Sequence, residues 1–268
     1  MENAGFFEEY RRSSHISFKY AVGDVGIYPK MFHPHCELYL LLRESGVEYT
    51  SERTRCHIAP GTLVLIPPGV YHQFLILGDI AHYERCVLEI EPSFEPLAHF
   101  SSVTETQSVI LLRADSAVLD CFSRLRQYAS DAYAADFPYL AAAVCTEILA
   151  LLRKETQRAD AGTGKLTPLS VQAMDFIHTH LAEPLSVAQI ADACYVSSST
   201  LSHTFRKSYG ISVMRYIQNK KMILAKQHLD EGRTPCDVCR LLGYAEYSTF
   251  YRAYIREYGI SPQREADV

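Results

Sequence analysis

Residues Phe205-Arg-Lys-Ser-Tyr-Gly-Ile-Ser212 return, 49 positions later, as Tyr254-Ile-Arg-Glu-Tyr-Gly-Ile-Ser261. Each copy closes the same layout. A short amphipathic stretch comes first (VAQIADAC, then CDVCRLLGY), a turn of small or polar residues follows, and a second stretch ends at Gly210 or Gly259. Glycine there accepts the left-handed backbone that terminates a helix. Ser197 and Ser198 suit the start of the second helix in the first copy. Two short helices joined by a tight turn form a unit whose second helix can lie in a DNA major groove while the first fixes its angle.

Leu201 and Phe205, and in the second copy Phe250 and Tyr254, are spaced i, i+4 and are expected to face inward. That turns Ser199, Ser202, His203, Arg206 and Lys207 outward in one copy, and Tyr247, Thr249, Tyr251, Arg252 and Arg256 in the other. These ten are the candidate DNA contacts, because such side chains reach phosphates and base edges. The stretch SVMRYIQNKKMILAKQHLDEG between the copies reads as one long helix. Val213, Ile217, Leu224 and Leu229 are expected inside it, with Lys220, Lys221 and Lys226 more exposed. A rigid rod would hold the two readers about 34 Å apart if they enter successive grooves. Charge agrees. The chain carries a net −5, but residues 165–268 hold 12 Lys/Arg against 10 Asp/Glu, while residues 1–164 hold 14 against 21. A basic segment on an acidic chain suits phosphate binding at one end only.

Ile190-Ala191, Ser197, Leu201, Phe205, Gly210, Tyr216, Ala225, Leu229, Gly243-Tyr244, Ser248, Phe250, Arg252, Tyr254, Gly259, Ser261 and Pro262 follow one another in the order and register of a known pattern. On these residues the segment from about 170 to 264 resembles the DNA-binding domain of the AraC/XylS family of transcription regulators. Departures are Cys239 for the usual Ala, Tyr for Phe at 244 and 254, and no aromatic-Arg pair soon after Pro262. The last of these predicts a weakly docked final turn. The resemblance implies a sequence-specific, effector-responsive regulator, with activation the commoner behaviour of the family and sugar metabolism a frequent target. It also implies promoter DNA, a small-molecule effector (a sugar among the options) and RNA polymerase as partners. The expected action is that of a regulator, not an enzyme.

The first half reads differently. ELYLLL, TLVLIPP, HQFLIL and ERCVLEI, within residues 15–95, are short apolar or alternating runs broken by Gly, Pro and charge, the pattern of a sandwich or barrel. From Asp115 the period becomes helical, with Val118, Phe122 and Leu125, then Leu140, Val144, Ile148 and Leu151 or Leu152, on single faces. These helices are expected to pack on the β unit or to pair two copies as a homodimer. His33-Pro-His35-Cys-Glu37, followed by Gly61-x5-Pro67-x-Gly69-x2-His72, resembles the two motifs of the cupin superfamily, although Glu37 follows His35 too closely and the later Asn is absent. His33, His35, Glu37, His72 and Arg85 are therefore candidate effector-pocket residues. The expectation is a pocket without metal or other cofactor. A metal site formed by His33, His35, Glu37 and His72 is the alternative, and with it a metal-dependent cupin enzyme carrying an accessory helical domain. Arg85 fits an anionic or hydroxyl-rich ligand or, equally, a surface ion pair.

The expected fold is α+β in two domains. Residues 1–157 form a cupin-like sensing and dimerisation domain with trailing helices, 158–168 a linker poor in large apolar residues, and 169–268 an all-α domain with two helix-turn-helix units joined by a long helix. No run approaches the roughly 18 apolar residues of a membrane span, and MENAGFFEEYRRSS lacks an export signal, so a cytoplasmic protein is expected. Its eight scattered cysteines then read as reduced core thiols. Cys236-Asp-Val-Cys239 has no second CxxC to complete a zinc site.

Overall fold

The computed structural model describes residues 6–23, 31–43, 46–52, 54–78, 80–104, 107–155, 164–165 and 168–263. The chain divides into two compact units, Met1–Gly164 and Lys165–Val268. Positions 158–163, 166 and 167 of the expected linker lie outside the described residues, as does the tail after Gln263.

The first unit opens with β1 (Phe7–Arg12), β2 (Ile16–Val22), β3 (Cys36–Arg43), β4 (Val47–Ser51), β5 (Thr54–Ile58), β6 (Thr62–Ile66), β7 (His72–Ile76) and β8 (Glu84–Ile90). Then come α1 (Glu95–His99), α2 (Ser101–Thr104), β9 (Ser108–Leu111), α3 (Ala117–Tyr128) and α4 (Phe137–Glu155). One antiparallel sheet runs β1-β2-β8-β3-β6-β9, and in a second sheet β4 lies between β5 and β7. The four expected strand runs correspond to β3, β6, β7 and β8, while β1 and β9 fall outside the span of 15–95.

Alternation along the central strands makes two cores. Leu38, Leu40, Leu63, Leu65, Cys86 and Leu88 face Val118, Phe122, Leu125, Val144, Ile148 and Leu152 of α3 and α4. Tyr39, Leu41, Val64 and Ile66 face Val47, Tyr49, Phe74 and Ile76 of the second sheet. Strands buried on both faces read as continuous apolar runs, which is why ELYLLL and TLVLI show so little alternation. Between the sheets, the inward period of two also places Glu37 beside Tyr39, and Arg85 and Glu89 on the matching face of β8.

The second unit is helical: α5 (Pro168–Thr179), α6 (Val187–Ala193), α7 (Ser198–Tyr209), α8 (Val213–Asp230), α9 (Pro235–Leu241) and α10 (Tyr247–Tyr258). Caps set the boundaries. Ser186 and Gln189 form a reciprocal capping box at α6, and Ser197, Ser212 and Thr234 each accept a backbone N–H at the start of α7, α8 and α9. Gly210 and Gly259 close α7 and α10 at φ 75° and 74°.

Candidate functional site

Both second helices bury the apolar pair expected of them. Leu201 and Phe205 of α7, and Phe250 and Tyr254 of α10, are wholly inside. Ser199, Ser202, His203, Arg206 and Lys207 are exposed, as are Thr249, Arg252 and Arg256. Tyr247 and Tyr251 are half-buried and lie against each other, with ring centroids 6.1 Å apart. The Tyr247 hydroxyl also accepts from Gln263 Nε2 at 2.5 Å, so this ring serves packing as well as any ligand. The 12-residue helices are offset by 49 positions throughout. His203 thus matches Arg252, and Lys207 matches Arg256. No carboxylate stands within α7, and the Glu257 carboxylate of α10 pairs with Arg215 of α8 at 3.5 Å. Among the described residues no carboxylate pairs with Arg206, Lys207, Arg252 or Arg256, so each helix presents exposed basic side chains of the kind that phosphate binding asks for.

Eighteen residues of α8 span about 27 Å at the helical rise of 1.5 Å per residue. Its Val213, Ile217 and Leu229 are buried and Leu224 is partly so. Lys221 contradicts the sequence expectation. It is buried, and its ammonium donates to Glu183 O at 3.0 Å and Leu242 O at 2.7 Å. Burial holds its pKa below the ordinary value. Two backbone carbonyls from separate loops explain the position, since they satisfy a charge that sequence periodicity assigns to solvent. At the next residue, Gly243 takes φ +67°, and a Cβ there would fall 2.3 Å from Ala182 O. Lys221 and Gly243 thus lock the turn before α10 onto the loop after α5.

In the first unit four of the five pocket candidates, His33, His35, Glu37 and His72, come together at the start of β3 and β7, whereas Arg85 lies farther along β8, opposite Leu41. Hydrogen bonds between Met31 and His72, and from Gly69 N–H to His33 O at 2.9 Å, bring the two motif segments together. His33 and His35 stack with centroids 4.0 Å apart, and His72 meets His33 edge-on at 4.9 Å. His33 Nε2 lies 3.1 Å from Glu37 Oε2, and His72 Nε2 lies 3.9 Å from Glu37 Oε1. Burial alone would raise Glu37, but the surrounding imidazoles hold it below its ordinary value. Burial pushes His35 down to about 3 and also lowers His72. For His33, burial works downward, yet the contact with Glu37 leaves it raised. Arg85 is not a surface residue. It is buried, donates to Gly23 O at 2.7 Å and lies over the Tyr83 ring at 4.3 Å. Tyr83 and Tyr39 share a hydroxyl–hydroxyl contact.

A helix-turn-helix domain family matches residues 180–266. The probable transcriptional regulator LumQ of Photobacterium leiognathi is 24% identical over 245 residues, covering 88% of this chain and 91% of that one. The arabinose operon regulatory protein of Salmonella typhimurium is 28% identical over 240 residues, covering 84% and 81%. The helical domain is of the AraC/XylS type, and the chain is a DNA-binding transcription regulator. Among solved structures, unsaturated fatty acid-bound ToxT of Vibrio cholerae aligns over 99% of this chain and 96% of its own, with a TM-score of 0.40 and 12% identity. The DNA-binding domain of AdpA in complex with a target DNA aligns over 37% and 90%, with a TM-score of 0.36 and 21% identity.

This AraC/XylS-type domain accommodates its departures from the pattern by packing. The added hydroxyl of Tyr244 accepts from Gln218 Nε2 at 2.7 Å, while Cys239 and Tyr254 sit in the core shared by α8, α9 and α10. Besides misplacing Lys221, sequence reasoning passed over two polar residues. Glu89 stands directly across β8 from Glu37, with its Oε1 3.8 Å from His35 Nε2. Counting by twos from Arg85 would have put it on the inner face. Tyr195, in the turn before α7, is almost fully exposed at φ 57°, and no periodic signal marks such a residue.

Proposed function

We propose that this DNA-binding regulator is effector-responsive and activates transcription. In this reading α7 and α10 enter successive major grooves of a promoter. The first unit, residues 1–157, is a cupin-like barrel that senses a small molecule through His33, His35, Glu37, His72 and Arg85, and α3 and α4 pair two copies. Residues 158–168 link it to the DNA-binding domain, 169–268. Promoter DNA, a second copy of the chain and RNA polymerase are its macromolecular partners. An effector acts only through unequal affinity for two arrangements of the protein, one of which engages DNA better.

The observation that carries this reading is the matched set of exposed polar and basic positions, His203 with Arg252 and Lys207 with Arg256, on two helices in the same register. Arg252 is assigned to a base edge, and Lys207 to a phosphate. Mobility shifts on the promoter fragment upstream of the chain's own gene test both roles. Arg252→Ala should weaken specific binding by about 1–3 kcal/mol while sparing affinity for unrelated DNA. Lys207→Ala should weaken both about equally and reduce the slope of log K against log salt by about 1. Unchanged affinity in both variants would remove these helix faces from the interface.

A further inference from the structure

The larger sheet of the first unit ends in β1, which pairs with β2 alone among the described residues, from Phe7 opposite Val22 to Arg12 opposite Ser17. Its other edge carries backbone N–H and C=O groups of the kind that a further strand can complete. Large apolar side chains gather here as well, since Phe6, Phe7 and Tyr10 are all exposed. An edge that is to stay solvated is usually guarded by lysine, by proline or by a bulge. β1 contains no lysine or proline and meets β2 without a shift of register. It reads Phe7-Glu-Glu-Tyr-Arg-Arg12, with two acids and two bases placed in mirror order about Tyr10.

That order decides which partner the edge accepts. When two identical strands meet antiparallel across a twofold axis normal to the sheet, opposed side chains lie on the same face, so the axis passes through a residue position. An axis at Glu9 would set two carboxylates together, and one at Arg11 two guanidiniums, arrangements that destabilise a strand pair. An axis at Tyr10 sets ring against ring, Glu9 against Arg11 of the second copy, and Glu8 against Arg12 of the second copy. Every charge of the strand then meets its opposite. Parallel in-register stacking, the way open edges aggregate, would set Glu on Glu and Arg on Arg. The charges of β1 thus exclude the wrong pairings and leave one.

We propose that β1 is a self-recognition strand, which pairs antiparallel with β1 of a second copy about Tyr10 and joins the two six-stranded sheets into one. The proposal rests on the pairing of two copies stated above and names its seam. On one face α3 flanks that seam. Arg126 of α3 lies 3.6 Å from Glu9, and Arg11 donates from Nε to the carbonyl of Ala129, just past the end of α3, at 3.0 Å. Strands joined at Tyr10 therefore bring α3 of both copies along the same face of the joined sheet. On the opposite face Glu8 lies 3.5 Å from Lys19, and Arg12 lies 3.3 Å from Glu91. These contacts within one chain hold the four charged side chains along the edge. Each keeps surface open to a second copy, from 26% of the Arg11 side chain to 60% of that of Arg12.

The test uses the full chain, with association followed by analytical ultracentrifugation over a range of concentrations and folding followed by circular dichroism. Glu8→Arg sets Arg against Arg across the seam, and Arg12→Glu sets Glu against Glu. Each alone should raise the dimer dissociation constant by about tenfold or more. An equimolar mixture of the two variants opposes each altered strand with a complementary one, and should recover most of the parent's affinity as a heterodimer. The two substitutions made together in one chain should recover it as a homodimer. A variant that merely unfolds is not rescued by its opposite, so recovery separates a seam from a folding defect. Failure of both the mixture and the doubly exchanged chain to recover overturns the strand seam. So does association of both single variants as tight as the parent's, and that result leaves pairing through α3 and α4 standing. A parent chain that is monomeric at every concentration overturns the seam and the pairing together, and leaves DNA recognition by α7 and α10 untouched.

Discussion

Gly243 and Gly259 both hold the left-handed backbone, at φ +67° and +74°, yet they answer to different constraints. At Gly259 a Cβ would meet nothing within 4 Å. Only the backbone preference opposes a side chain there, so Gly259→Ala should cost about 1 kcal/mol. At Gly243 a Cβ would also strike Ala182 O at 2.3 Å, with the carbonyl carbons of Ala182 and Glu183 at 3.2 Å. Those atoms belong to backbone, and Lys221 holds Glu183 O against the same turn. Gly243→Ala should therefore cost about 3–5 kcal/mol, more than either effect alone. Urea denaturation followed by circular dichroism compares the two variants directly. Equal losses would mean that the close approach of the two loops does not exist in solution.

The two reading helices are copies whose caps have diverged. Ser197 and Glu246 occupy equivalent positions before α7 and α10. The Ser197 side chain accepts from Thr200 N–H at 3.1 Å, whereas Glu246 caps nothing with its side chain although its backbone is extended in the manner of a cap. Replacing Glu246→Ser should stabilise the protein by about 0.5–1 kcal/mol, and Ser197→Ala should cost about 1 kcal/mol. Chemical denaturation reads both, and opposite signs are the expected result. A loss on Glu246→Ser would show that its carboxylate makes a contact worth more than the cap. At this scale most of the structure was readable beforehand. Repetition, cap residues and a period near four located α7, α8 and α10, and continuous apolar runs located β3 and β6. Lys221 was misread because a lysine in an amphipathic helix reads as solvent-facing, and only carbonyls from two distant loops reverse that. Glu89 was overlooked because one acidic residue in a strand carries no motif. Its significance comes from the register that sets it against Glu37.

Each unit has a core of its own, and this decides how the whole chain should respond to being cut. Tyr216, Phe205, Ile190 and Met174 are buried in the helical unit, and Phe250, Tyr254, Met222 and Leu229 form a cluster there that draws on no residue before Lys165. A fragment of residues 165–268 should therefore fold, unfold cooperatively and bind the promoter fragment with a salt-dependent affinity. It should bind more weakly than the full chain, because α3 and α4 pair two copies in the proposed reading and pairing converts the second encounter into an intramolecular one. Avidity of that kind amounts to about 10²–10⁴-fold. Analytical ultracentrifugation and mobility shifts on both forms give the answer together. A fragment as tight as the full chain would remove dimerisation from the mechanism.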